Sequence, residues 1–314
     1  MSILSEVKAT YAARQMRPLR RRGQNFLINP LIYQQIIEAA ELTPDDVVLE
    51  IGPGLGHLTE LLAQKVKKVF AVEIDKELVE ILKNKFITQK NLVIISDDAL
   101  KIDLKKLKIE SPCFGDETRR STSAFAKATA DYPPCIYSRA KTDISRRRAK
   151  KYKVVANLPY NITGAILRKF LSEKTQPETM TLMLQKEVAR RIIAQPPEMS
   201  LPATMVQFYG QPKIITNVSR HNFWPAPKVD SAVIHITKIH HPKNIDEDKF
   251  FNLLRAGFSA PRKYLMNNLV RNKIWTHDQA IKIFNQLSLN IQIRAENLNL
   301  NQWKNLYRFY GKQY

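Results

Sequence analysis

Five short apolar runs separated by stretches of helical period restrict this chain to a mostly parallel sheet with helices on both faces. The runs are Val47 to Ile51, Lys68 to Glu73, Leu92 to Ser96, Tyr152 to Ala156 and Met180 to Leu184. Before the first, Leu31, Ile32, Ile36, Ile37 and Ala40 recur at helical spacing. Helical patterns also cover Leu55 to Lys65, Lys76 to Phe86, Ile162 to Leu171, Lys186 to Ala194 and Ala203 to Tyr209. Strands alternating with helices imply right-handed crossovers and an α/β parallel sheet, whose strands are buried on both sides and therefore apolar throughout. Two further runs, Lys213 to Val218 and Val229 to Thr237, flank the turn WPAPK and predict an antiparallel pair at the sheet edge. Beyond His240 and His241 the pattern is helical to the end, through Phe250, Leu253, Leu254, Phe258, Leu265, Leu269, Ile281, Phe284, Leu306 and Phe309. The expected organisation is an α/β domain over 23–243 and a small all-helical domain over 244–314.

Two segments fall outside this pattern. Residues 1–22 carry Arg14, Arg17, Arg20, Arg21 and Arg22 and read as a mobile basic arm ending at Gly23. From about 110 to 150, pieces such as RRSTSAFAKATAD and SRRRAKK lack an apolar period. Such a segment has too little apolar area to offset its ordering entropy, and it reads as a disordered basic insertion between two sheet elements.

Charge narrows the partner. Lys and Arg number 50 against 29 Asp and Glu, a formal charge of +21, and a field of that sign concentrates polyanions, nucleic acid first. A hydrophobic fraction of 44% is that of a globular chain. No apolar run approaches the ~20 residues a membrane helix needs, so no membrane association is expected. Cys113 and Cys135 form no Cys-x-x-Cys motif, and the six histidines, His57, His221, His235, His240, His241 and His277, show no ligand spacing. A cytoplasmic protein without a metal follows, with His240 and His241 read as a solvated linker pair.

The chemistry gathers at the ends of the strands. Glu50-Ile51-Gly52-Pro53-Gly54-Leu55-Gly56 joins the first strand to a helix, and places Gly52, Gly54 and Gly56, three of the chain's nine glycines, in one turn. Glycines there let backbone approach a ligand, and their alternate spacing differs from the dinucleotide fingerprint, favouring a nucleoside without a pyrophosphate. Glu73 ends the second strand about twenty residues later, where a carboxylate in this topology binds ribose hydroxyls. Asp97 and Asp98 follow the third strand, where a carboxylate accepts from an exocyclic adenine amine. Ligands of open parallel sheets lie beyond the carboxyl ends of the strands, so these groups converge on one crevice.

Asn157-Leu158-Pro159-Tyr160 follows the fourth strand at the same edge. An adenine or cytosine exocyclic amine is a poor nucleophile, because its lone pair is delocalised into the ring. The amide oxygen of Asn157 and the carbonyl of Leu158 or Pro159 can accept its two N–H hydrogens, favouring a pyramidal nitrogen aimed at an electrophile. Pro159 fixes the turn, and Tyr160 is placed to stack on a base taken out of its helix. Trp224, beside Phe223, reads as core or edge packing.

Taken together, the glycine turn, Glu73, Asp98 and Asn-Leu-Pro-Tyr resemble class I S-adenosylmethionine-dependent methyltransferases acting on adenine N6, which implies a Rossmann-like α/β fold. Gly23-Gln24-Asn25-Phe26-Leu27 and Phe223-Trp224-Pro225-Ala226-Pro227-Lys228-Val229-Asp230-Ser231 narrow the resemblance to the ribosomal RNA adenine dimethyltransferase family, from Gly23 to the C-terminus apart from the insertion. The resemblance implies S-adenosyl-L-methionine as cofactor, held by Asn25, Leu27, Gly52, Glu73, Asp98 and Asn157, with Gly54 and Gly56 completing the turn. It implies Asn157, Leu158, Pro159, Tyr160 and Phe223 around the target base, with Tyr160 and Phe223 sandwiching an adenine. It implies transfer of two methyls to N6 of each of two adjacent adenosines, in a hairpin near the 3′ end of small-subunit (16S) rRNA. The expected partner is that RNA or a pre-assembled small ribosomal subunit, met by a monomer with a role in subunit biogenesis.

Arg20, Arg21, Arg22, Lys228, Arg262 and Lys263 are the candidate RNA contacts. Phe258-Ser259-Ala260-Pro261-Arg262-Lys263 departs from the family, which tends to carry a pair of arginines before a lysine, so Pro261 is expected to remove one phosphate contact. The following helix is expected to begin with Arg262 and Lys263, followed by Asn267 and Asn268. A methyltransferase acting on large-subunit rRNA shares the same fold, cofactor and catalytic turn. An assembly or transcription factor on this scaffold would need no catalysis, but it would have no use for Gly52, Glu73, Asp98 and Asn157 together. DNA adenine methyltransferases more often carry Asp or Asn before Pro-Pro-Tyr.

Overall fold

The apolar runs pair into one sheet in the computed structural model, which describes residues 1–18, 23–104, 107 and 152–311. In chain order the strands are β1 (Phe26–Leu27), β2 (Val47–Ile51), β3 (Lys68–Glu73), β4 (Leu92–Ser96), β5 (Lys153–Asn157), β6 (Met180–Gln185), β7 (Gln211–Val218), β8 (Phe223–Trp224) and β9 (Ser231–Thr237). Among the described residues, β4-β3-β2-β5-β6-β9-β7 form a seven-stranded sheet in that order. Strands β2 to β6 run parallel to one another, and β9 pairs antiparallel with both β6 and β7. The antiparallel pair therefore stands at the edge, as its sequence indicates. Strand order reverses at β2, between β3 and β5, which makes this the topological switch point where α/β sheets open a crevice.

Alternate residues of each strand feed opposite faces. Val48, Val69, Val155, Met183 and Val233 pack on one side, under α2 (Pro30–Ala39) and α3 (His57–Lys65). Leu49, Phe70, Val154, Leu182 and Ile234 pack on the other, with α5 (Thr163–Ser172) and α7 (Leu201–Tyr209). Helices α4 (Lys76–Lys85) and α6 (Lys186–Ile193) complete the crossovers, and Asp75 caps α4 by accepting from the Glu77 N–H at 3.1 Å. The C-terminal helices are α8 (Glu247–Gly257), α9 (Leu265–Arg271), α10 (His277–Gln286) and α11 (Leu300–Tyr310). They share a core with the second face: the Phe208 and Phe250 rings stack at 4.5 Å, and Trp303 is fully buried.

Several expectations need correction. The supposed N-terminal arm contains a helix, α1 (Ile3–Ala13), whose Val7 and Tyr11 are buried against Phe26, Leu55 and Leu78. Ile3, Val7 and Tyr11 recur at helical spacing, and that stripe docks the helix. Arg262 and Lys263 precede α9, which starts at Leu265; Pro261 and the buried Asn268, bonded to the carbonyls of Gly257 at 2.7 Å and Ala260 at 3.0 Å, shape a turn there. His240 and His241 are both exposed, as expected of a linker pair, but His241 also meets Glu247 at 2.8 Å and the Glu173 carbonyl at 2.9 Å, which ties the linker to the end of α5. The insertion expected at about 110–150, with both cysteines, lies outside the described residues.

Candidate active site

A cleft opens at the carboxyl ends of β2, β3, β4 and β5. Gly52, Gly54 and Gly56 adopt φ of +68°, +61° and +83°, a region that side chains with a Cβ rarely enter. The turn they form is tied down by Gly52 N–H donating to the Val72 carbonyl at 2.9 Å. Gly52 and Gly54 line the cleft, whereas Gly56 does not. A Cβ at Gly56 would lie 2.6 Å from the Phe86 ring, so this glycine lets α3 approach α4 instead of meeting a ligand. Of the three candidate cofactor-binding glycines, the structure thus brings Gly52 and Gly54 to the cleft and places Gly56 behind it.

Glu73 meets the same turn from the next strand. Its Oε2 accepts from the Gly54 N–H at 3.2 Å and its Oε1 from the Asp75 N–H at 2.9 Å. Burial raises its pKa, and those backbone donors hold part of the rise back. Asp97 and Asp98 sit at the end of β4, where Asp98 Oδ1 accepts from the Leu100 N–H at 2.9 Å, fixing the carboxylate at the rim.

Glu50, the acid preceding the glycines, is 1% exposed and also borders the cleft. Its Oε2 has no hydrogen-bond partner among the described residues. Burial and the neighbouring Glu73 charge push its pKa up to about 8, while the nearby Thr59 hydroxyl offsets part of that rise. Glu50 stands in the motif, but its burial comes from the neighbours of β2, β3 and β5, which local sequence does not reveal. His57 and Tyr33 are further lining residues with no sequence signal. His57 is bonded to Glu6 of α1 at 3.1 Å, and Tyr33 donates to the Leu27 carbonyl at 2.9 Å.

The opposite wall is the Asn157-Leu158-Pro159-Tyr160 turn. Leu158 N–H donates to the Met183 carbonyl at 3.0 Å and anchors the turn on β6, while Pro159's carbonyl accepts from Ile162 N–H at 3.2 Å. Asn157 Nδ2 reaches the Asn25 carbonyl at 3.5 Å, a long bond that turns the amide oxygen away from that wall. Asn25, Leu27, Gly52, Gly54, Glu73, Asp98, Asn157, Leu158, Pro159, Tyr160 and Phe223 thus border one cavity. Phe223 is 4% exposed and pairs with Leu27 across the β1–β8 ribbon, so little of its side chain faces the cleft that it borders. Trp224 packs edge-on against Tyr11 at 5.7 Å.

The charge pattern of the cleft opposes that of the chain. Glu50, Glu73, Asp97 and Asp98 border it, and no lysine or arginine does among the described residues. A chain of charge +21 thus keeps an acidic pocket, suited to a ligand carrying positive charge. Lys228, Arg262 and Lys263 are exposed and outside the cleft, while Arg20, Arg21 and Arg22 lie outside the described residues. No group of three or more His, Cys, Asp or Glu among the described residues is arranged to hold a metal ion.

Comparison with known proteins agrees with this arrangement. Residues 18–312 match the family model for ribosomal RNA adenine dimethylase. Ribosomal RNA small subunit methyltransferase A of Dehalococcoides mccartyi (strain CBDB1) is 34% identical over 307 residues, covering 97% of this chain and 92% of that protein. A dimethyladenosine transferase from Plasmodium falciparum superposes with a TM-score of 0.68 at 25% identity, over 91% of this chain and 97% of its own. The 23S rRNA methyltransferase ErmE shares the fold, with a TM-score of 0.64 at 24% identity over 91% of this chain and 100% of its own.

Proposed function

This chain belongs to the ribosomal RNA adenine dimethylase family and is an S-adenosylmethionine-dependent rRNA methyltransferase; on that premise we propose how its cleft works and on which RNA. The substrate is small-subunit (16S) rRNA, and the products are two adjacent N6,N6-dimethyladenosines in a hairpin near its 3′ end. The small-subunit name of the Dehalococcoides relative supports this choice. The observation that carries the reading is the junction of the glycine turn, Glu73 and Asp98 with the Asn157 turn in one acidic cleft.

S-adenosylmethionine, when bound, supplies an electrophilic methyl on a cationic sulfur. The carboxylates of Glu73, Asp97 and Asp98 at the cleft fit that charge, and the backbone of Gly52 and Gly54 lines the same wall without side chains in the way. Glu73 would hold the ribose hydroxyls, Asp98 the adenine amine of the cofactor, and Asn25, Leu27 and Gly52 the remaining walls. The Asn157 amide oxygen accepts one N–H of the target amine. Leu158's carbonyl is better placed than Pro159's for the second, because Pro159's already serves Ile162. These two acceptors hold the nitrogen lone pair toward the methyl, and positioning supplies most of the acceleration. With the methyl supplied by the cofactor, the Asn157 and Leu158 acceptors would keep the nitrogen in place while its surplus proton leaves to solvent. Tyr160 and Phe223 hold the flipped base between them.

One chain supplies the whole cleft, which supports action as a monomer, and an rRNA substrate supports a cytoplasmic setting. Lys228, Arg262 and Lys263, with Arg20, Arg21 and Arg22, would grip the phosphate backbone. Replacing Asn157 by Ala tests the reading: methyl transfer is expected to disappear while the RNA dissociation constant stays near that of the parent. Undiminished transfer by the variant would remove the amine-positioning role.

A further inference from the structure

The motif around Phe223 ends in a serine that the reaction described above does not use. Ser231 is the first residue of β9, fully buried, and registered between Gln185 of β6 and Val218 of β7. The residue before it is also fixed: Asp230 receives the Arg220 N–H on its carboxylate at 3.0 Å and the Lys186 N–H on its carbonyl at 3.0 Å. Ser231 therefore has the rigidity of the sheet interior. Its Oγ lies 2.7 Å from the hydroxyl of Tyr160, across 71 residues of chain.

Tyr160 has no comparable support of its own. It opens a single 3-10 turn, Tyr160–Ile162, an element with poor hydrogen-bond geometry, and its ring is only half-buried at the cleft. Leu158 is pinned to β6, but the ring hangs from two side-chain torsions beyond that anchor. One hydrogen bond at the phenol tip fixes both torsions, because it locates the end of the side chain farthest from the backbone. We propose that Ser231 is a positioning residue that sets the plane of the Tyr160 ring for stacking on the flipped adenine. The inference rests on the base-stacking reading of Tyr160 given above.

The roles divide along the chain: β5 and β6 place the acceptors for the target amine, while β9 places the ring that holds the base. Loss of the Ser231 hydroxyl leaves the cofactor wall untouched, since Glu73, Asp98 and the glycine turn belong to other strands.

The test compares Ser231→Ala, Tyr160→Phe, the double variant and Tyr160→Ala. Substrates are small-subunit particles lacking the modification, and a second set carries 2-aminopurine at the target adenine. Ser231→Ala is expected to lower kcat about 5-fold, the effect of one ordinary hydrogen bond, with KM for the particle and the cofactor dissociation constant unchanged. The 2-aminopurine emission change on binding should shrink in parallel, which a loss of general stability would not produce. Tyr160→Phe should reproduce both effects, and the double variant should be no worse than either single one, since all remove the same bond. Should Ser231→Ala fail to fold, Tyr160→Phe alone carries the same expectation. Parental kcat and emission in Ser231→Ala, or effects that multiply in the double variant, would overturn the positioning role. Parental kcat in Tyr160→Ala would instead remove the stacking reading itself, and this inference with it.

Discussion

Glu73 accepts a hydrogen bond from the backbone N–H of Gly54 at 3.2 Å, joining the acidic end of β3 to the glycine turn that follows β2. The carboxylate thus braces the turn and borders the cleft at the same time. Glu73→Gln keeps the size of the side chain but presents an NH2 toward one of the two backbone donors. Cofactor affinity is expected to fall roughly 10-fold or more, as for loss of a charge-assisted hydrogen bond. Titration calorimetry checks this, and unchanged affinity would count against the role of Glu73.

Glu50 makes stability depend on pH in an unusual direction. Its pKa is raised from 4.5 to about 8 in the fold, so between those values the folded chain holds a proton that the unfolded chain has lost. Stability from this group is fully present below about 4.5 and is lost as pH rises through about 8. Glu50→Gln should remove that dependence, so the variant's melting temperature should gain on the parent's as pH rises from 5 to roughly 8. Parallel melting curves across the range would show that Glu50 is ionised in the fold.

Helix α1 is held by Tyr11, buried against Phe26 and Trp224, yet its hydroxyl has no partner among the described residues. Tyr11→Ala should destabilise the protein by about 3 kcal/mol, the usual cost of removing a buried aromatic ring. Tyr11→Phe removes only the unsatisfied hydroxyl and should be neutral or stabilising. Denaturant unfolding separates the two, and a harmless Tyr11→Ala would show that α1 does not dock in solution.

RNA affinity should fall steeply with salt, because neutralising phosphates releases counterions. Removing the charges of Lys228, Arg262 and Lys263 together should reduce the salt slope by about three, roughly one for each cation removed, and weaken binding across RNA sequences alike. A slope unchanged by the triple substitution would place the RNA on another surface.

The sheet is legible in sequence because buried parallel strands are apolar along their whole length, as Val154 to Ala156 and Leu182 to Leu184 are. The cleft is legible because its residues stand at strand ends, where topology brings them together whatever the rest of the chain does. Helix α1 is hidden because only Val7 and Tyr11 of it are buried, while the arginines that follow it from Arg14 onward dominate the composition of the segment. Gly56 reads as a ligand contact because spacing does not distinguish a glycine that faces a cofactor from one that faces Phe86. Ser231 and Tyr160 meet only through the β6–β9 register, a long-range pairing that no local pattern encodes.

The most direct measurement is mass spectrometry of unmodified small-subunit particles after incubation with the protein and isotopically labelled S-adenosylmethionine. The account predicts two labelled methyls on N6 of each of two neighbouring adenosines near the 3′ end of the RNA. Labelling of large-subunit rRNA instead, or no transfer despite demonstrated binding of cofactor and particle, would contradict it.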